Sequence, residues 1–281
     1  MNEIDFKKLL RQERQNARSR NQKHHFGSSE AVMHPATDEV NYETVVSYEP
    51  YETLLANQLS ESHRIHPPHS QIDLVYYTKN FLKDETCNEI LDWLQTIPVV
   101  SNQRKLNEQE ESKECNGKWT VLKHARRKVA LFDASIAPLP PILSKLAVTL
   151  KHTNAFKETP DHILINEYQK GMGIMSHTDG PAYNSRTATI SIGGDVLFKL
   201  TKRRDQYNQL LLEEGCDKCV MEVLLHGCGS LIVFANDAYL NHCHGIDETF
   251  EETTGKVTAN EKEGILIKRT DRISLTFRCK K

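Results

Sequence analysis

The sequence predicts a β-sandwich or barrel-like jelly roll with helices packed outside it, and three observations carry that expectation. From Asp161 onward, short apolar-rich runs are separated by Gly-rich or polar turns, at a spacing too tight for helices. Several of these runs alternate polar and apolar residues with a period of two, as half-buried strands do. Upstream, two stretches repeat their apolar residues at helical spacing instead.

Residues 1 to about 25 read as a polar, Arg-rich helix with Ile4, Leu9 and Leu10 as its only aliphatics, too little to fold alone. Residues 26 to 70 turn acidic and polar, and Pro35, Pro50, Pro67 and Pro68 interrupt any regular pattern, as in a linker or an arm laid over a domain. The expected division is therefore a polar, flexible N-terminal arm at 1–70 and a folded domain at 71–281. Within the domain, 71–160 is an α/β and helical part and 161–281 a β core. Ile72 to Tyr77 is a short strand. Asp84 to Leu94 is a helix whose inner face is Cys87, Ile90, Leu91 and Leu94, with Asp84 or Thr86 as its cap. Trp119-Thr-Val-Leu and Lys128-Val-Ala-Leu-Phe form a hairpin, and Pro138 to Pro141 lead into a second helix, Ile142 to Lys151. The strands of the β core are His162 to Tyr168, Met175 to Asp179, Thr187 to Ile192, Asp195 to Leu200, Met221 to Leu225, Ser230 to Phe234 and Arg272 to Arg278.

The whole chain bounds its partners only loosely. A net charge of -2 over 281 residues excludes a globally basic nucleic-acid coat, so a nucleic-acid partner would have to meet a local patch. Seven cysteines, an odd number without a disulfide-framework spacing, point to a reducing compartment. No signal-peptide core and no membrane-length apolar stretch is present, so the expected home is intracellular, in cytoplasm and/or nucleus.

The chemistry lies in the strands. In Ser176-His177-Thr178-Asp179, His177 and Asp179 are two apart in an extended segment and face the same side, so an imidazole and a carboxylate can grip one cation. With 13 histidines and 38 acidic residues, about two such pairs arise by chance, so the spacing alone decides nothing. A third ligand is available from Tyr239-Leu-Asn-His242-Cys-His244-Gly245-Ile246, where His242 and His244 compete. Two imidazoles and one carboxylate on one face of Fe(II) leave positions open for a bidentate co-substrate and O2, and a hard carboxylate donor argues against structural zinc. The final strand carries Arg272, Ser274, Thr276 and Arg278 on one face. Two arginines there suit an anionic ligand with a carboxylate at each end, although a strand with its polar face in water would read the same way. Leu164, Asn166 and Tyr168 share a face of an earlier strand and add an amide and a phenol.

Taken in order, Asn166-Glu-Tyr168, Gly173-Ile174-Met175-x-His177-x-Asp179-Gly180-Pro181-x-Tyr183, Thr189-Ile190-Ser191-Ile192-Gly193, His244-Gly245-Ile246 and Arg272-x-Ser274-Leu275-Thr276-x-Arg278 resemble the AlkB-like Fe(II)/2-oxoglutarate-dependent dioxygenases, and among them the branch called AlkB homologue six. The resemblance covers roughly residues 70 to 281. It implies a double-stranded β-helix, with His177, Asp179 and His244 as iron ligands and 2-oxoglutarate and O2 as co-substrates. Asn166 and Tyr168 would hydrogen-bond 2-oxoglutarate, Arg272 would pair with its distal carboxylate, and Arg278 would lie near the proximal carboxylate and the iron. Ser274 stands where the pattern often carries Asn. The acidic segment between His244 and Arg272 reads as a surface insertion.

The implied reaction is oxidative demethylation of an alkylated base in RNA or DNA, which must be unpaired or flipped to be reached. Residues 71–160 would then include a substrate lid, in which Lys118, Trp119, Lys123, His124, Arg126, Arg127 and Lys128 combine cations with one aromatic. The competing reading of that segment is a solvated hairpin with a buried Trp. Two further functional readings stand beside demethylation: a 2-oxoglutarate-dependent hydroxylase of a protein or metabolite, and a nucleic-acid-binding pseudo-enzyme. Cys216 and Cys219, with His226 and Cys228 nearby, have the donor types of a zinc site but not a familiar spacing.

Overall fold

The structure, a computed structural model, describes residues 47–53, 58–66, 72–100, 115–122, 127–203 and 219–281. The Arg-rich helix expected over residues 1 to 25 lies outside the described residues.

Two antiparallel sheets face each other. β4 (His162–Tyr168), β6 (Arg186–Gly193), β9 (Cys228–Ala235) and β13 (Arg272–Arg278) form one, in the order β9-β6-β13-β4. β5 (Ile174–His177), β7 (Val196–Lys202), β8 (Cys219–Leu225) and β10 (His242–Ile246) form the other, in the order β5-β10-β7-β8. The chain crosses between the sheets at every step from β4 to β10 except β7 to β8, then returns to the first sheet with β13. That winding is a double-stranded β-helix. The first sheet is extended beyond β9 by β1 (Val75–Thr78), and beyond β4 by β3 (Lys128–Asp133) and β2 (Trp119–Val121).

Register fixes which side chains meet inside. β13 aligns Arg272 with Tyr168, Ser274 with Asn166, Thr276 with Leu164 and Arg278 with His162 on β4. On its other side Ser274 faces Ser191 and Thr276 faces Thr189 of β6. Because strand residues alternate, Leu275 and Phe277 point the opposite way, into a core shared with Ile163, Ile165 and Ile190. α1 (Asp84–Leu94) and α2 (Pro141–His152) close that core with Ile90, Leu94, Leu143, Leu146 and Leu150. The polar face of β13 is therefore not the solvent face, since Arg272 is 4% and Arg278 7% exposed. A second core, including Val196, Phe198, Val223, Ile232, Phe234 and Ile246, lies between the sheets.

Several elements differ from the sequence expectation. Lys83 occupies the N-cap position of α1 and makes no side-chain cap bond, so neither Asp84 nor Thr86 caps it; Asp84 and Glu85 instead sit in the first turn, where the helix dipole favours acids. Asp179 lies just past the end of β5. His242 to Ile246, absent from the strands expected from sequence, is a strand held from both sides, by β5 and by β7.

The segment expected as a surface insertion is built into the outside of the second sheet. β11 (Glu251–Thr253) pairs with β12 (Leu266–Lys268), and Thr254, Thr258, Ile267 and Arg269 are buried. Arg269 explains why an acidic stretch folds inward. Its guanidinium donates to Glu252 Oε1 (3.2 Å), to the Asp247 carbonyl (3.3 Å) and to the Met172 carbonyl (2.7 Å) in the turn between β4 and β5. Upstream of the barrel, Tyr51 and Leu59 are tied to the helical layer and Ile65 to β1: the Tyr51 N–H donates to Thr149 Oγ1 (2.9 Å), the Tyr51 hydroxyl to Glu89 (2.9 Å), the Leu59 N–H to the Thr153 carbonyl (2.7 Å), and the Ile65 N–H to the Val75 carbonyl (2.9 Å).

Arg269→Ala is expected to lower stability by about 3–5 kcal/mol, because Glu252 would stay buried without its cation. Urea unfolding measures this, and a loss well below about 1 kcal/mol, the range of exposed pairs, would show that the ion pair does not anchor the segment.

Candidate active site

β5 and β10 bring the candidate ligands together because they are neighbours in the second sheet, with His177 directly opposite His244. The approach is close. A Cβ on Gly245 would come within 2.9 Å of the Ser176 nitrogen and 3.0 Å of the Ile174 carbonyl, so the residue after His244 has to be glycine for β5 to pack there. The donor atoms of His177, Asp179 and His244 all lie within 4.8 Å of one another, the single group of this kind among the described residues. The two imidazole centroids are 4.4 Å apart, and His244 Nε2 is 3.8 Å from Asp179 Oδ1.

The protonation states suit a metal. His177 donates its Nδ1–H to the Met175 carbonyl (2.8 Å), which leaves Nε2 with its lone pair. His244 packs against Phe198 (5.5 Å between centroids) and Phe234 (5.0 Å). Burial, reinforced by the neighbouring His177, pulls the His244 imidazole down to about 3, and burial lowers His177 as well. Both rings are neutral at neutral pH. Burial alone would raise Asp179. The Arg278 guanidinium in contact with Oδ1, together with the two imidazoles, overcomes that and holds the carboxyl well below the usual carboxylate range. Thr187 Oγ1 donates to Oδ2 (2.7 Å), and the Tyr239 hydroxyl to the Gly180 carbonyl (2.8 Å), so the chain after Asp179 is fixed at two points.

The same cavity continues along β13 to Arg272. Arg272 Nε donates to Ser191 Oγ (2.9 Å) and its guanidinium carbon lies 5.4 Å from the centre of the Tyr168 ring. Burial draws it down to about 10, still charged at neutral pH. Asn166 is buried, and its Oδ1 has no hydrogen-bond partner among the described residues. An amide is a donor at one end and an acceptor at the other, so Asn166 is an unspent contact for a polar ligand. Tyr168, Ser274, Thr276 and Thr189 complete this part of the lining. Charge also fits: two arginines and one aspartate line the cavity, so a divalent metal there calls for a strongly anionic companion.

All eight residues singled out from sequence, His177, Asp179, His244, Asn166, Tyr168, Arg272, Ser274 and Arg278, line this one cavity. His242 lies outside the ligand group, with Nδ1 bonded to the Asp237 carbonyl (3.2 Å) at the start of α3 (Asp237–Leu240). His162, Tyr183, Thr187, Phe198 and Phe234 also line the cavity; Tyr183 belongs to the quoted Asp179-Gly180-Pro181-x-Tyr183 motif without a role read for it, and nothing in the residue types or spacing of the other four marks them. The basic hairpin departs from its expected form. Trp119 is 5% exposed with its indole N–H on the Leu94 carbonyl (3.2 Å), so it is a core residue and no stacking platform. Arg127 is 5% exposed over the Tyr168 ring, and Lys128 pairs with Glu167. Lys123, His124 and Arg126 lie outside the described residues, as does Cys216. His226 accepts or donates one bond with the Tyr77 hydroxyl (2.7 Å), and with Cys219 and Cys228 it forms no metal-holding group among the described residues.

Because His162, His177 and His244 are lowered below 6.5, their value when exposed, the unfolded chain binds protons before the folded chain does. The metal-free protein is therefore expected to lose stability steadily as pH falls from about 7 to about 5. Urea midpoints across that range check the sign; a midpoint that rises on acidification would contradict the buried neutral imidazoles.

The family model described as the 2OG-Fe(II) oxygenase superfamily matches residues 74–278. The chain is 29% identical over 146 residues to a Danio rerio protein named "Probable RNA/DNA demethylase ALKBH6", covering 50% of this chain and 62% of that protein. It is 25% identical over 131 residues to the Xenopus tropicalis "tRNA (carboxymethyluridine(34)-5-O)-methyltransferase alkbh8", covering 43% of this chain and 19% of that one. The matched stretch thus spans less than two thirds of either relative. Among solved structures, OsALKBH1 superposes with a TM-score of 0.47 at 14% identity, over 75% of this chain and 99% of that one. Among the described residues no helix is long and apolar enough to cross a membrane. With a family model spanning the barrel from β1 to β13 and the His-Asp-His group at its centre, the chain belongs to the 2OG-Fe(II) oxygenase superfamily, and its curated relatives are AlkB homologues.

Proposed function

We propose that this protein is an Fe(II)- and 2-oxoglutarate-dependent dioxygenase that oxidatively demethylates alkylated nucleic-acid bases. The observation that carries the proposal is the convergence, in one cavity, of two neutral imidazoles and an ionised carboxylate at one end and a buried arginine at the other. His177, Asp179 and His244 hold the metal. Arg272 binds the distal carboxylate of 2-oxoglutarate, Asn166 and Tyr168 hydrogen-bond the same molecule, and Arg278 keeps Asp179 anionic beside the proximal carboxylate. Bound iron supplies the activation of O2 and the coupled oxidative decarboxylation of 2-oxoglutarate to succinate and CO2. One oxygen atom goes to succinate and the other to an N-methyl carbon, whose hydroxymethyl product releases formaldehyde and the unmodified base.

The protein's own contribution is orientation and exclusion of water. Phe198, Phe234, Ile174 and Ile246 wall the imidazoles, and β13 holds the arginines in a fixed strand geometry. The nucleic-acid part of the proposal draws on the names of the two relatives, an RNA/DNA demethylase and a tRNA methyltransferase. A second reading, a hydroxylase of a protein or metabolite, draws on the burial of Trp119, which removes the aromatic of the basic 118–128 segment from base stacking.

The test is O2-dependent release of succinate and formaldehyde over a panel of methylated RNA and DNA oligonucleotides, with proteins and metabolites as the other arm. Formaldehyde from an oligonucleotide supports demethylation; succinate coupled only to the other arm supports the second reading. His177→Ala and Asp179→Ala are expected to abolish turnover, and normal turnover in either would remove the metal assignment. Arg272→Ala is expected to raise the KM for 2-oxoglutarate by about 10²–10³-fold, as loss of one member of a buried charge pair does, and an unchanged KM would place the co-substrate elsewhere.

A further inference from the structure

We infer that Tyr183 and His162 are positioning residues for the metal, which act through Arg278 to fix the direction in which Asp179 presents its carboxylate to the two imidazoles. The inference rests on the ligand assignment proposed above. Both residues line the cavity at the end away from Arg272, and Tyr183 is 1% and His162 2% exposed.

The contacts form a continuous series. Arg278 touches Asp179 Oδ1, and the guanidinium carbon lies 5.1 Å from the centre of the Tyr183 ring, a cation–π distance. The Tyr183 hydroxyl is 3.3 Å from His162 Nε2, and the two rings are 5.0 Å apart. His162 is in turn the direct cross-strand partner of Arg278, so it reaches the phenol from the same register position that places the guanidinium. The backbone keeps the ring in place. Asn184 N–H donates to the Cys279 carbonyl (2.9 Å) and Lys281 N–H to the Ala182 carbonyl (3.1 Å), which ties residues 182–184 to the three residues after Arg278.

A guanidinium in the open can rotate about its long stem. Here a ring covers it while a carboxylate takes its end, so it has one orientation in which both contacts are kept. Since Thr187 occupies the other oxygen of Asp179, the plane of the carboxylate is set by Arg278 and Thr187 together. A phenol and an imidazole are also an expensive way to fill a dry space. Phe and Leu would fill it without desolvating a hydroxyl and two ring nitrogens. Residues that orient a ligand from behind commonly alter metal affinity by about 10–100-fold when removed.

The experiment is an anaerobic titration of the full chain with Fe(II) and 2-oxoglutarate, reading the Fe(II) Kd and the visible charge-transfer band of the complex. Tyr183→Leu is expected to weaken Fe(II) binding by about 10–100-fold and to shift or shrink the band. Tyr183→Phe keeps the ring under Arg278 and should lose less. His162→Gln, which still offers the phenol a partner, should stay within a few-fold of wild type, whereas His162→Leu should not. If Tyr183→Leu folds poorly, the contrast between His162→Gln and His162→Leu carries the test. Wild-type affinity and an unaltered band in both Tyr183→Leu and His162→Leu, whatever their melting temperatures, would reduce the pair to packing and overturn the inference. Asp179→Ala separates the two levels. If it abolishes the band while the Tyr183 and His162 variants leave it intact, only the positioning role fails. If wild type gives no band, or Asp179→Ala keeps it, the ligand assignment fails and the inference with it.

Discussion

A carboxylate sealed inside a protein must be matched by a cation, and the contact between Asp179 and Arg278 is the match on which this site depends. Asp179 is 5% exposed, and burial by itself drives a carboxyl toward its neutral form, which is a poor metal donor. Arg278 reverses that from the last strand of the barrel. The pair therefore does two things with one contact: it keeps the carboxylate anionic, and it joins the turn after β5 to the far end of β13.

β13 is the member that sets distances. Its outward residues, Leu275 and Phe277, are fully buried against the helical core, and its inward residues run from Arg272 to Arg278. A strand fixed by apolar packing on one face cannot slip in register, because a one-residue slip would exchange the faces and bury both arginines among leucines. Hence the separation between Arg272 and Arg278 is a property of sheet geometry and not of side-chain choice. This is also why a strand whose polar face looks suited to water is dry: the second sheet, through Phe198, Ile246 and the imidazoles, covers it.

What could be read from sequence follows the same division. Strands β4 and β13 are legible to the residue, since β13 alternates polar and apolar residues and β4 carries the apolar run Ile163 to Ile165 between Pro160-Asp161 and Gln169-Lys170-Gly171. The pair His177 and Asp179 was legible as a two-residue spacing, and the choice of His244 over His242 gains a physical reason in Gly245, whose missing Cβ lets β5 approach. β10 was not legible. His-Cys-His-Gly-Ile has no apolar alternation, and only its pairing to β5 and β7 makes it a strand. The segment after His244 misled for a related reason: its acids read as surface, but Glu252 is the buried partner of Arg269, a cation seventeen residues on. Thr187, Phe198, Phe234 and Tyr239 belong to residue types found everywhere in cores, and only their placement around the ligand group gives them meaning.

The hairpin of β2 and β3 shows the limit of reading charge along a line. Seven residues there suggested a cationic, aromatic surface, yet the fold spends Trp119 on the core, Lys128 on Glu167, and Arg127 on the Tyr168 ring at 5.8 Å. Arg127 has the wider consequence. Tyr168 is approached by Arg127 from the hairpin and by Arg272 from β13, and it lines the cavity that Arg272 closes. The backbone of Arg127 also receives the Leu122 N–H, which closes the turn between the two hairpin strands. The hairpin and the arginine end of β13 therefore meet on the two sides of one phenol ring.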